Sequence, residues 1–182
     1  MVPTSLKAAF LTAALLVGLG RAGPNISQGH GALPSDPPLH LVLHTSENRL
    51  DLYQGDDLVR SYTVSVGRPG YATPTGSYAI SSIIWNPSWV PPNSGWAAGK
   101  SPKAPGEPGN PMGRVKMMFS DLYYIHGTPD VGQLGEPVSH GCVRMSNADA
   151  IELAQTVEAY GAPGGANDGT VRLDNPVPLE VQ

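Results

Sequence analysis

One cysteine, Cys142, stands alone in 182 residues, so an intramolecular disulfide scaffold is excluded. Charge is scarce as well. Asp, Glu, Lys and Arg make up 14% of the chain, against roughly 25% in an average domain. The net charge is −4. No basic field is available to grip a phosphate backbone, which excludes nucleic acid as a partner. No apolar run reaches the roughly 20 residues that span a bilayer; Ala8 to Gly20 falls short of it. No internal repeat is visible. Glycine and proline are plentiful, at 22 and 19 residues. That many turn formers points to short strands joined by loops, not a helical bundle. The length suits one domain with a proper core, and a hydrophobic content of 40% argues against disorder.

Residues 1–22 have the layout of a secretory signal peptide. Lys7 precedes the apolar run, and Gly20-Arg21-Ala22 resembles a small-x-small cleavage site. A retained anchor is the weaker alternative. Residues 23–38, rich in Gly, Pro, Ser and Asn, read as a flexible tether. From Leu39 the pattern alternates to His44 and again from Leu50 to Tyr53, which predicts a hairpin turning near Asn48. Leu58–Val66 and Ser77–Trp85 read as strands, with the turn Thr73-Pro74-Thr75-Gly76 between them. Residues 86–113 break this rhythm with seven prolines and five glycines and read as a flap-like loop. Trp89 and Trp96 in it either plug the core or cover a groove. Further strands are expected at Val115–Phe119 and Leu122–Ile125, the second ending at His126-Gly127-Thr128. Ser146 or Asn147 caps the one good helix, Ala148–Tyr160, and Thr170–Leu173 reads as the last strand. Residues 174–182 are left as a tail.

A thiol attacks as thiolate, and a free pKa near 8.5 leaves little of that form at neutral pH. A nucleophilic Cys142 therefore needs a base or a cation beside it. His126 and His140 are the two candidates for the base. On an extended strand His140 and Cys142 would share a face. Gly141 lets a substrate approach the backbone, which makes the amides of Gly141 and Cys142 natural oxyanion donors. Arg144 offers a guanidinium fork to a substrate carboxylate. Zinc binding by His126, His140 and Cys142 is disfavoured: the spacing is unusual and no fourth ligand is evident, so neither metal nor cofactor is expected. His40 and His44 share a strand face without partners in sequence and read as structural, while His30 falls in the tether.

The stretches Tyr-Tyr-Ile-His-Gly-Thr (123–128) and Ser-His-Gly-Cys-Val-Arg-Met (139–145) resemble the signature of the L,D-transpeptidase catalytic domain, the YkuD family. Thr-Pro-Thr-Gly-Ser-Tyr (73–78) and Asn-Pro-Ser-Trp-Val-Pro-Pro (86–92) extend the resemblance, which covers about Leu39 to Tyr160. It implies a mainly β, sandwich-like domain over 39–173 with one helix after the catalytic motif. It implies Cys142 as nucleophile and His126 as base, held by a backbone carbonyl near Gly127. His140, Ser139, Gly141, Gly127 and Thr128 would shape the pocket and the oxyanion site, with Arg144 and Trp89 contacting substrate. The implied reaction acylates Cys142 with a peptidoglycan stem, releases D-Ala and transfers the acyl group to an amine in cell-wall organisation. That amine would come from another stem or a lipoprotein; water would give carboxypeptidase activity. Penems and carbapenems would acylate the same cysteine. The implied location is the bacterial envelope, in periplasm or wall. An oligomer is neither suggested nor excluded.

Overall fold

A computed structural model describes residues 37–165 and 167–182. The expected signal peptide (1–22), nearly all of the tether, and His30 lie outside the described residues. The described residues form eight strands and one α-helix. These are β1 (Leu39–His44), β2 (Arg49–Gln54), β3 (Asp57–Thr63), β4 (Gly76–Trp85), β5 (Val115–Met118), β6 (Tyr124–Thr128), β7 (Val143–Ser146), α1 (Asn147–Gly161) and β8 (Thr170–Val181). The sheet order is β3-β2-β1-β8-β4-β5-β6-β7. A mainly β domain with one helix is thus what the sequence folds into.

The two outer strands do not stay apart. Just beyond β3, Ser65 exchanges both backbone hydrogen bonds with Arg144 of β7, at 2.8 Å each. Ser139 N donates to Val66 O at 3.0 Å, and Arg68 N donates to Ser139 O at 3.1 Å. The sheet therefore closes on itself, and the closure seam passes through the cysteine motif.

Local chemistry explains most elements. β1 alternates buried Leu39, Leu41 and Leu43 with half-buried His40, Val42 and His44. It pairs antiparallel with β2, and Asn48 turns the chain at φ +51°. His40 stacks on Tyr53 with centroids 5.0 Å apart, and His44 Nε2 lies 3.1 Å from Asp51 Oδ2. Ser146 ends β7 and caps α1, accepting from Asp149 N at 3.0 Å. Ala150, Leu153, Ala154 and Val157 give α1 its buried side, which packs on β5, β6, β7 and β8.

Three expectations are corrected. The stretch 174–182 is no tail: β8 runs to Val181, between β1 and β4 in the middle of the sheet. Pro176 and Pro178 argue against a strand, but complete burial of Val177 and near-complete burial of Leu179 and Val181 outweighs the missing donors. His126 does not end a strand; it sits in the middle of β6. Finally, His140 and Cys142 are not on an extended strand. They flank a bend in which Gly141 has φ +108°, and β7 starts at Val143.

Candidate active site

β5, β6 and β7 turn one face to the core and the other to a cleft. Val115, Met117, Ile125, Val143 and Met145 are buried on the core side. The alternate residues Lys116, Tyr124, His126 and Arg144 line a cleft of about 1010 Å³. Register places Lys116 opposite His126, and His126 opposite Arg144. A Lys–His–Arg row therefore crosses three strands. β6 and β7 are parallel, with Ile125 level with Val143. Cys142, one residue before β7, receives a hydrogen bond from the Tyr124 amide and lines the same cleft as His126.

The two histidines have different surroundings. His126 is 2% exposed, and its Nδ1 lies 2.8 Å from Gly127 O. A carbonyl can only accept, so Nδ1 carries the proton and Nε2 is left with a lone pair. Burial pushes the imidazole down to about 4, with smaller downward pushes from Arg144 and Lys116 against the upward pull of the Gly127 carbonyl. His140 is fixed the other way round. Arg68 Nη2 lies 2.9 Å from its Nε2, and a guanidinium only donates, so this nitrogen is already occupied as an acceptor. Its ring is sandwiched by aromatics, stacked on Trp96 with centroids 4.0 Å apart and met edge-on by Tyr71.

Burial raises the Cys142 thiol, while a hydrogen bond from the Tyr124 amide and the charges of Arg144 and Lys116 lower it. At neutral pH the resting pair is a thiol and a neutral imidazole, with the proton on sulfur. A neutral imidazole with a free lone pair can take up a proton from a thiol as it is released.

The bend before the cysteine is held from several sides. Ser139, fully buried, donates from Oγ to Cys142 O at 2.5 Å and accepts from Gly141 N at 3.0 Å. Thr73 Oγ1 donates to Gly141 O at 2.9 Å and accepts from Gly67 N at 3.0 Å. A β-carbon on Gly141 would come within 2.5 Å of Tyr123 Cε1, so both the backbone angle and the close ring demand glycine. Gly141 N–H is thus already committed, which removes it as an oxyanion donor in this state.

The flap 86–113 forms the other wall. Trp89 exchanges backbone hydrogen bonds with Lys103, at 2.8 and 2.9 Å, and a short 3-10 turn spans Gly95–Ala97. Both tryptophans are half-buried and line the cleft, so they cover a groove rather than plug the core. Of the sequence candidates, Cys142, His126, His140, Ser139, Arg144 and Trp89 come together there. Gly127 and Thr128 do not line it. Gly127 supplies the carbonyl for His126, and a β-carbon on it would strike Asn147 Oδ1. Thr128 Oγ1 accepts from Asp130 N at 3.1 Å and closes the next turn.

Lys116, Tyr124, Trp96 and Thr73 were not singled out as site residues by sequence. Thr73 and Tyr124 lay in recognised motifs. The others depend on strand register and flap placement. Among the described residues no cluster of His, Cys, Asp and Glu could hold a metal ion.

A family model described as the L,D-transpeptidase catalytic domain (YkuD) matches residues 38–178. A Bacillus licheniformis protein named for L,D-transpeptidase, YkuD, is 30% identical over 163 residues, covering 84% of this chain and 86% of that protein. The fold is similar to the crystal structure of L,D-transpeptidase 3 from Mycobacterium tuberculosis, with TM-score 0.59 and 20% identity over 80% of this chain and 61% of that one. The same mycobacterial protein has been solved in complex with a faropenem-derived adduct; that comparison gives TM-score 0.56 and 21% identity, covering 80% of this chain and 60% of the other. The chain spans about three fifths of the length of these solved structures.

Proposed function

The chain belongs to the L,D-transpeptidase catalytic-domain family, and we propose that it is an exported enzyme that acylates its own cysteine with peptidoglycan stem peptides. Cys142 Sγ attacks the carbonyl carbon of the amide joining the third stem residue to the terminal D-Ala. The thiol proton passes to His126 Nε2. The C–N bond breaks, a thioester forms, and His126 returns the proton to the amine of the departing D-Ala. An amine of a second stem or of a lipoprotein then attacks the thioester. The C–S bond breaks, the displaced proton returns to sulfur, and a new amide remains. With water in place of the amine the product is a free carboxylate, an L,D-carboxypeptidase outcome. Of the two amides expected at the oxyanion, Cys142 N–H is the remaining candidate, because Gly141 N–H is bound to Ser139 Oγ.

One observation carries this proposal. His126 is locked through Nδ1 on the strand beside Cys142, and both line one cleft. Export is inferred from residues 1–22; among the described residues no helix is long and apolar enough to cross a membrane. The test is intact-protein mass spectrometry after incubation with faropenem or a carbapenem. An adduct is expected on the wild type and none on Cys142→Ala. An adduct retained by Cys142→Ala overturns the assignment. Muropeptide analysis then identifies the acceptor, and the mass of the secreted protein shows whether residues 1–22 are removed.

A further inference from the structure

The cleft is lined by Lys100, Lys103, Lys116 and Arg144, and by no Asp or Glu. This occurs in a chain whose net charge is −4. Lys103 is matched by Glu107 at 2.7 Å. Among the described residues, no carboxylate lies within ion-pairing distance of Lys116 or Arg144. Both flank His126 in register, and both are half-buried. The Lys116 ammonium stands 4.7 Å over the Tyr124 ring, and burial lowers its pKa. A desolvated cation without a counter-ion is costly unless a ligand supplies the anion.

Thiol activation is a poor explanation for the two charges. Arg144 and Lys116 lower the thiol of Cys142 and also the imidazole of His126. Moving a proton from sulfur to Nε2 leaves one negative and one positive group beside the same cations, so their effects largely cancel. Their net field is left for the substrate.

We propose that Lys116, together with Arg144, forms a subsite for a free carboxylate of the stem peptide next to the scissile amide. The inference rests on the proposed acylation by stems and adds the charge that the site reads. Two carboxylates fit this chemistry: the terminal one of the leaving D-Ala, and the one on the side chain of the third residue when that residue is a dibasic amino acid bearing its own carboxyl group. Either gives two charge-assisted contacts across His126. Reading the terminal carboxylate would also confine cleavage to the last peptide bond.

The experiment measures single-turnover acylation of the full chain by three tetrapeptides. The first has all carboxylates free, the second a C-terminal carboxamide, and the third a carboxamide on the third residue's side chain. Wild type, Lys116→Gln and Lys116→Arg are compared, with faropenem acylation as a check on Cys142. In the wild type, one carboxamide is expected to lower kcat/KM by tenfold to hundredfold, and which one identifies the carboxylate read. Lys116→Gln should shrink that ratio severalfold, and Lys116→Arg should preserve it. Equal rates with all three peptides in the wild type, or a ratio unchanged in Lys116→Gln, would overturn the subsite. A wild type that takes neither faropenem nor any peptide would instead refute the acylation itself.

Discussion

The cleft has two walls built on opposite principles. The floor is β6, β7 and the bend 139–142. Its backbone is tied into the sheet on both sides, Ser139 is fully buried, and its side-chain hydrogen bonds converge on Gly141 and Cys142. The flap 86–113 leans on one backbone bridge, on Asn110 bonded to Pro87 O and Ala104 O, and on the stack of Trp96 over His140. Displacing an acyl carbon requires reacting atoms held near 3 Å, where small displacements cost orders of magnitude. Covering a peptide tolerates far more variation. The floor is therefore held by the sheet on both sides, whereas the flap is held mainly by contacts within itself and by the Trp96 stack.

The sharpest contrast comes from substituting the floor. His126→Gln removes the proposed base, so acylation by a tetrapeptide should fall by about 10² to 10⁴-fold. Stopped-flow acylation measures this, with a thermal melt to confirm folding; a loss under tenfold would shift the base role elsewhere. Gly141→Ala comes next. It strains a φ of +108° and drives a methyl against Tyr123, at a cost of about 1 to 3 kcal/mol in the bend. Acylation should drop tenfold or more while the melting temperature falls by only a few degrees. An unchanged rate would mean that the bend need not hold its shape.

Sequence revealed the local features and missed the relational ones. The β1–β2 hairpin and the Ser146 cap rest on alternation and capping chemistry, readable within a few residues, and a motif singled out Cys142 and His126, which line one cleft. Lys116 was hidden because its place beside His126 depends on the β5–β6 register, which no local signal sets. The second half of β8 was hidden because two prolines speak against a strand, and only long-range burial overrules them. The Gly141 bend was hidden because His-x-Cys spacing fits an extended strand equally well.

The two walls should also respond differently to acid. His126 is held at about 4 in the folded protein, below an ordinary imidazole at 6.5. Its folded pKa is depressed, so the unfolded chain takes up the proton first. Stability is then full above pH 6.5 and declines as pH falls toward 4, by up to about 3 kcal/mol. Denaturant melts at pH 7, 5.5 and 4.5 should show this slope in the wild type and a flatter one in His126→Gln. The acid limb of kcat/KM should likewise lie near pH 4 to 5; a limb near 6.5 would mean that His126 is more hydrated than its burial indicates.

The smallest effect is expected in the flap. Trp96 stacks on His140 at 4.0 Å, an aromatic contact worth about 0.5 to 1.5 kcal/mol beyond its buried area. Trp96→Ala should loosen the flap and leave the floor intact, since Ser139 and Thr73 hold the bend without it. The expected result is a threefold to tenfold fall in kcat/KM for the tetrapeptide, carried by KM, with the melting temperature nearly unchanged. A core plug would behave in the opposite way. Removing it would cost about 3 to 5 kcal/mol and lower the melting temperature by many degrees. Measuring both quantities on this one variant therefore decides whether the flap is a cover or part of the core.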